Sequence, residues 1–322
     1  MGVLYLCGAG NAEGVRLALT VQRSERRWEA VVLLDDDPEK LGRSIVGVKI
    51  AGPFAELSNA DAERDQVVNL VTRKTQSRAR VRDKIATYGI PFTSLIHPSV
   101  DTFSVELADD VTVYQQATLG AGSSVGSGSV VLIRATVGHG ARVGRNCVVA
   151  PGAVLNARVV LEDRAYFGTN ATILPDLTVG EDATVGSLTS VIQNVPATAT
   201  AIGVPAEILL PVEPAPATED VVVDPELVAI ITEIWTSLLG LEHVGARDNF
   251  FEVGGTSLLA LEIRSKVQEA TGASLSPIDM FRLPTISAMA EYISRGGSAA
   301  KRRSPRRRRS GGKRAGRRLV QR

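Results

Sequence analysis

Residues 125–155 read VGSGSVVLIRATVGHGARVGRNCVVAPGAVL, and every sixth position of that stretch, Val125, Val131, Val137, Val143, Val149 and Leu155, is apolar. The register continues without a slip through Leu107, Val113 and Leu119 on one side and Leu161, Phe167, Ile173, Val179, Val185 and Val191 on the other. With 44% hydrophobic residues in the chain, fifteen successive matches arise by chance at on the order of one in 10⁵ for a given register. The second position before each match is mostly small (Ala135, Ala141, Cys147, Ala153, Ala165), and glycine often follows it (Gly126, Gly138, Gly144, Gly168). A fixed period of this kind belongs to a stack of equivalent coils, with large side chains filling the interior and small ones lining the corners of a triangle. A β-sandwich would instead show period two and irregular turn spacing.

This pattern resembles the hexapeptide repeat of left-handed parallel β-helices, in which about three hexads make one coil, so the fifteen hexads imply about five coils. Before it, residues 1–98 alternate short apolar runs (Val3–Cys7, Val31–Leu34, Val67–Val71) with helical patterns (Gly14–Gln22, Arg78–Tyr88). That alternation is the signature of β-α-β units and predicts a small Rossmann-like α/β domain. The run Gly8-Ala9-Gly10-Asn11-Ala12-Glu13-Gly14 places Glu13 where a dinucleotide fingerprint has its third glycine, which disfavours a nicotinamide oxidoreductase. Gly8, Gly10 and Asn11 still allow backbone N–H groups to approach a phosphate at a helix start, and Asp35 and Asp36 can accept hydrogen bonds from a ribose or base. The alternative is a turn and helix cap with no ligand.

After the coils of residues 99–209, residues 210–223 (LPVEPAPATEDVVV) have the composition of a semi-extended linker. Residues 224–294 hold three amphipathic stretches, around Leu227–Leu239, Ser257–Ala270 and Ile286–Ile293, and predict a small helical bundle. Residues 295–322 carry 13 of the 36 Lys and Arg and no acid, leaving 23 bases against 35 acids, a net −12, for the rest of the chain. Such a basic tail of low complexity is expected to be disordered, and without interleaved aromatics it makes nucleic acid an improbable partner. Cys7 and Cys147 are too few for a disulfide framework or a zinc site and read as reduced core residues. No apolar run approaches the length of a membrane span and no metal site is indicated, so a cytoplasmic protein is expected.

Asp248-Asn249-Phe250-Phe251-Glu252-Val253-Gly254-Gly255-Thr256-Ser257-Leu258-Leu259-Ala260 closely resembles the phosphopantetheine attachment site of carrier proteins, in the form found in the peptidyl carriers of nonribosomal synthetases. Two glycines permit a tight turn, and a helix N-terminus favours the phosphodiester that the modification installs on Ser257. Read without the resemblance, Ser257 is an N-cap. The carrier resemblance implies a four-helix bundle, covalent 4′-phosphopantetheine, a phosphopantetheinyl transferase and an adenylation or other synthetase domain that loads the arm. Residues 224–293 hold 10 acids and 4 bases, a balance suited to basic partner enzymes. His243, ahead of the motif, reads as a surface residue.

Residues 1–210 resemble the bacterial sugar acyltransferases that include the sialic acid O-acetyltransferases and the UDP-amino-sugar N-acetyltransferases. The resemblance rests on Leu4–Gly10, Leu34–Pro38, Leu95-Ile96-His97-Pro98-Ser99-Val100, Val137-Gly138-His139 and the exit segment Gly203-Val204-Pro205-Ala206. It implies a homotrimer with active sites between neighbouring β-helices and a nucleotide-sugar acceptor held partly by Gly8, Gly10, Asn11, Asp35 and Asp36. It also implies His139 as general base, with Ala157 and Gly168 against the acyl donor, acetyl-CoA or another acyl-CoA. His97, at the domain junction, reads as structural. The chain departs from the family in having Gly140 after the histidine, where an orienting Asp or Glu is usual, Val148 in place of a second histidine, and Ala157 in place of a glycine.

Two functions from different classes emerge. One is an acyltransferase moving an acyl or aminoacyl group from a thioester, on Ser257 or on CoA, to a sugar hydroxyl or amine. The other is a catalytically degenerate trimeric scaffold that presents carrier domains to synthetases, a reading that the missing carboxylate at Gly140 favours.

Overall fold

The computed structural model describes residues 1–72, 74–210, 224–250, 253–276 and 279–295. The expected linker beyond Leu210, the expected basic tail beyond Arg295, and Phe251 and Glu252 of the glycine-serine motif lie outside the described residues. The chain divides into two units, Met1–Val212 and Glu213–Arg322.

The first unit opens with β1 (Gly2–Cys7), α1 (Ala12–Glu25) and β2 (Trp28–Leu34), followed by a hairpin of β3 (Ser44–Ile45) and β4 (Val48–Gly52), then β5 (Gln66–Asn69) and α2 (Thr75–Ala86). β1 pairs in parallel with β2 and β5, β4 extends the sheet beyond β2, and β3 folds back antiparallel at its edge. Helices cover both faces, which is why the strands read as near-continuous apolar runs. Leu4, Leu6, Leu33 and Val68 pack with Val15, Leu17 and Val21 of α1, while Cys7, Leu34 and Val67 pack with Ile85 of α2. The β3–β4 hairpin has no counterpart in the sequence reading, because β3 is two residues long and leaves no periodic signal.

From Glu106 to Val191 a two-residue strand recurs every six residues, and each apolar hexad residue is the second residue of a strand. Each strand stacks on the one 18 residues away, as Val131 does between Val113 and Val149, so three parallel sheets wrap one interior. Leu95–Ile96 already pairs with Thr112–Val113, so coil pairing begins ahead of residue 98. At the far end Thr200–Ile202 turns back, through a cis Val204–Pro205 bond, onto the antiparallel strand Glu207–Leu209. Cys7 and Cys147 are free and buried. Burial pushes the Cys147 thiol up to about 12 and raises that of Cys7 as well.

Each coil corner also holds one residue at positive φ, as in Gln116 (59°), Gly122 (69°), Arg134 (58°), Gly140 (65°), Asn146 (54°) and Leu188 (59°). Outside glycine this conformation costs roughly 1–2 kcal/mol per residue. Bonds between coils hold it: Gly140 N–H donates to Ala121 O at 3.0 Å, Arg158 N–H to His139 O at 2.9 Å and Asp176 N–H to Ala157 O at 3.0 Å.

Two arginines of α2 pin the coils to the sheet. Arg78 is fully buried and donates from Nε to Gly128 O and from Nη1 to Asn69 O (2.8 Å) and Val71 O (2.7 Å). Arg82 Nε lies 2.6 Å from Oδ2 of buried Asp110. Burial pushes the Asp110 carboxyl up to about 6 against the opposing pull of Arg78 and Arg82.

In the second unit, α3 (Pro225–Leu239), α4 (Ser257–Thr271), α5 (Asp279–Arg282) and α6 (Ile286–Ser294) are the helices among the described residues. Asp224 caps α3 ahead of Pro225, and Gly240 and Gly272 end α3 and α4 at φ 67° and 70°. Leu227, Ile231 and Trp235 of α3 meet Ile263 and Val267 of α4 and Met289 of α6. Trp235 packs edge-on against Phe250 with ring centroids 5.0 Å apart.

Candidate functional site

The loop after β1 carries the first group of candidates. Gly8 has φ 110°, and a Cβ there would stand 3.1 Å from Val71 Cγ2, so the turn into α1 is built for glycine. Asn11 Oδ1 caps α1 by accepting from Gly14 N–H at 2.9 Å, while its amide nitrogen donates to Leu70 O at 3.2 Å and lies 2.9 Å from the buried Tyr114 hydroxyl. Gly14 supplies the close packing that the fingerprint assigns to its third glycine, one position later. A Cβ at Gly14 would come within 2.8 Å of Leu70 Cδ2 and 3.0 Å of Tyr114 OH.

Gly8, Gly10, Asn11, Asp35 and Asp36 line one cavity of about 480 Å³, together with Lys40 and Phe54. The carboxylates there already have protein partners. Asp35 accepts from Ala9 N–H (2.7 Å) and Asp37 N–H (2.9 Å) and pairs with Lys40 at 3.2 Å. Asp36 accepts from Phe54 N–H at 2.9 Å and pairs with Lys84 at 2.7 Å. Both therefore brace the cavity wall, a role the expectation of ribose or base contacts did not include. Lys40, which sequence reasoning missed, brings a cation to the rim, and only its position in the β2–β4 connection would have signalled it.

His139 sits on an outward corner of the coils and is exposed. No hydrogen bond to its ring is made among the described residues. Ala157 lies one coil further on, and its N–H is likewise free of a partner within the described chain. Gly168 behaves differently. It is buried on another face, its N–H donates to Val185 O at 2.9 Å, and a Cβ would come within 2.6 Å of Gly186 C. The structure thus gives Gly168 a stacking role between coils and leaves its amide no capacity for an acyl donor. Gly140 occupies a left-handed corner that Asp and Asn take at equivalent positions such as Asp110, Asn146 and Asp176, so the conformation alone does not demand a glycine after the histidine. His97 is tied to its own turn, with Nδ1 2.9 Å from Ser99 Oγ and accepting from Ser99 N–H at 3.1 Å. Burial, and then Arg16, holds His97 below its ordinary pKa.

In the second unit the N-cap of α4 is Thr256, whose hydroxyl accepts from Leu259 N–H at 3.3 Å, so Ser257 is the first residue of the helix and not its cap. Gly254 has φ 107°, and a Cβ at Gly255 would lie 2.4 Å from Phe250 O and Phe250 Cε1. The two glycines answer separate demands, one conformational and one steric. The turn they form leads directly into the N-terminus of a 15-residue helix, where free N–H groups favour a phosphodiester. The donor set fits phosphopantetheine at Ser257.

Residues 229–293 match the family described as phosphopantetheine attachment site. Curated relatives include gramicidin S synthase 2 of Brevibacillus brevis, 41% identical over 80 residues, and chondramide synthase of Chondromyces crocatus, 46% identical over 63 residues. These matches cover 25% and 20% of this chain, respectively, and 2% of either synthase. Among solved structures, the acetyltransferase domain of PglB from Neisseria gonorrhoeae, in complex with acetyl coenzyme A, is 26% identical with a TM-score of 0.59, covering 64% of this chain and 98% of that one. A variant of the perosamine N-acetyltransferase of Caulobacter crescentus, in complex with CoA and GDP-perosamine, is 27% identical with a TM-score of 0.56, covering 65% and 97%. The chain joins a hexapeptide-repeat sugar N-acetyltransferase fold to a phosphopantetheine carrier domain. It spans a small fraction of the synthetases it matches and nearly the whole of the transferase domains. Among the described residues no helix is long and apolar enough to cross a membrane, and no group of three or more His, Cys, Asp or Glu is placed to hold a metal.

Proposed function

We propose that this protein is an acyltransferase that modifies an amine or hydroxyl of a nucleotide sugar, with His139 as general base and the carrier domain as a source of thioester. The observation that carries the reading is the covalent union of a sugar N-acetyltransferase fold with a phosphopantetheine attachment domain in one chain. The domain division at 1–98, 99–209 and 224–294, the left-handed coil, the Rossmann-like and four-helix assignments, the homotrimer and a cytoplasmic setting belong to this proposal.

The acceptor's nucleotide would occupy the cavity of Gly8, Gly10 and Asn11, with its phosphates toward the start of α1 and Lys40. The His139 imidazole would take the proton of the attacking amine or hydroxyl and return it to the departing thiol. The free Ala157 N–H would donate toward the acyl carbonyl oxygen as negative charge develops there. Phosphopantetheine on Ser257 supplies a thiol that activates an acyl group. The tether raises the local concentration of that group above what free acyl-CoA reaches. In the second wiring acetyl-CoA acylates an amine carried on the arm.

The experiment is intact mass after treatment with CoA and a phosphopantetheinyl transferase, then acyl loading and a screen of UDP-, dTDP- and GDP-amino sugars. A Ser257-dependent mass gain and a His139-dependent loss of acyl to a sugar are expected. The scaffold reading draws on Gly140, which supplies no carboxylate to His139. It predicts the same mass gain with no transfer that His139→Ala removes.

A further inference from the structure

Between α1 and the start of the coils, Arg16, Thr20, Arg23, His97, Ser99 and Gln115 line a cavity of about 320 Å³, at the lower end of ligand-sized spaces. It shares no lining residue with the cavity of Gly8, Gly10 and Asn11. No Asp or Glu lines it, although the body of the chain is acidic. By contrast, the cavity after β1 contains Asp35 and Asp36, and another, against the coils, contains Glu162, Asp163 and Glu181.

The helix supplies the charge. Arg16, Thr20 and Arg23 fall at i, i+4 and i+7 and so on one face of α1. Arg23 reaches no carboxylate among the described residues and gives one guanidinium nitrogen to Thr20 Oγ1 at 3.5 Å. Arg16 pairs with Glu13, whose Oε2 lies 2.7 Å from Nη2 and 2.9 Å from Nε. That pair is half exposed and therefore weakly held. The coil side supplies a neutral donor. Ser99 N–H donates to His97 Nδ1 at 3.1 Å, so the hydrogen of the neutral ring sits on Nε2, which makes no hydrogen bond among the described residues. Arg16 adds to the effect of burial in lowering the His97 pKa, so its positive field reaches the ring despite Glu13.

We propose that this cavity binds a phosphate dianion, free or as the monoester of a small molecule, held by Arg16 and Arg23 with His97 Nε2–H as a third donor. Two guanidinium groups present the paired N–H donors that match phosphate oxygens. When the anion arrives, Glu13 gives up Arg16 and keeps Gln115 Nε2, which already donates to it at 3.4 Å.

Both arginines are exposed, so Arg16→Gln and Arg23→Gln spare the fold. The chain has three histidines, which makes labelled-histidine NMR of the full-length protein tractable, with His97 assigned by His97→Gln. The protein is titrated with inorganic phosphate, with glycerol phosphate and with chloride at matched ionic strength. Both phosphate probes should move the His97 ring nitrogen signals saturably and leave those of His139 and His243 in place. Each arginine variant should weaken the binding on the order of 10-fold, while Lys40→Gln, at the cavity after β1, leaves it unchanged. Tighter binding of glycerol phosphate identifies a monoester as the occupant, and equal or tighter binding of inorganic phosphate identifies the free ion. His97 signals that stay put with both phosphate probes, or that follow chloride as they follow phosphate, overturn the proposal. So does an affinity that survives in both arginine variants or is lost in Lys40→Gln.

Discussion

The corners of the β-helix and the turn before Ser257 solve the same backbone problem with different sequence. Fifteen successive corners from Ser104 to Leu188 take the left-handed conformation, and four of them are glycine. The carrier turn places Gly254 at φ 107° and then needs Gly255 for space against Phe250. In the coils each corner is bonded to its neighbours on adjacent rungs, so the stack imposes the conformation and the side chain is left open to selection for other work. The isolated turn has no such support and must be written in glycine. A repeat therefore tolerates local strain that a small domain does not.

The contrast is most sharply tested in the two cores. Phe167 and Trp235 are both fully buried, and truncation of either to Ala should cost about 3–5 kcal/mol. The expected outcomes differ, because a carrier-sized core has little stability to lose. Trp235→Ala should abolish the carrier's thermal transition, whereas Phe167→Ala should lower that of the first unit and leave it folded, which calorimetry of the full chain would resolve.

At the turns themselves, Gly255→Ala should destabilise the carrier by about 1–3 kcal/mol through the clash with Phe250. Gly140→Ala, with only Arg158 Cγ nearby at 3.3 Å, should cost about 1 kcal/mol. Equal losses in denaturant titrations would break the distinction drawn between supported and isolated turns.

Asp110 is a corner residue retained for its charge partners, at φ 63° and fully buried. Its folded pKa of about 6 lies above the ordinary 3.8, so the folded state holds this proton more tightly than the unfolded chain. Its contribution to stability is fully present below pH 4 and declines as pH rises toward 6. Relative to Asp110→Asn, the wild type should lose on the order of 2 kcal/mol between pH 4 and pH 7. A constant difference between the two melting curves across that window would refute the burial argument.

The smallest effect is a gain. Leu188 is 68% exposed at φ 59°, where its side chain contributes strain and little packing. Leu188→Asn should stabilise the first unit by about 0.5–1 kcal/mol, measurable as a rise in Tm.

What the chain disclosed before its structure follows the same division. The coils were legible because fifteen environments are alike, and a repeated environment selects a repeated residue. The carrier motif was legible because its glycines have no substitutes. The partners of Asp35 and Asp36 were not, since Ala9, Lys40, Phe54 and Lys84 come from four places in the chain and no spacing announces them. Gly14 was hidden by a shift of one residue in a familiar spacing, which only its contact with Leu70 and Tyr114 exposes. The cavity of Arg16, Arg23 and His97 was hidden for a related reason: its walls are distant along the chain and adjacent in the fold.

The reversal at Thr200–Leu209 also settles a matter of length. A stack of identical rungs has no intrinsic last member, and its open end is a template on which another chain can grow. Here one sheet is closed by the antiparallel strand Glu207–Leu209, the second by a bridge from Val195 to Val179, and the third by Gly203 O and Ala206 N–H bonding to Ser190. One change of chain direction and two crossings thus terminate a structure that would otherwise invite polymerisation, and they do so at the point where the chain leaves toward the carrier.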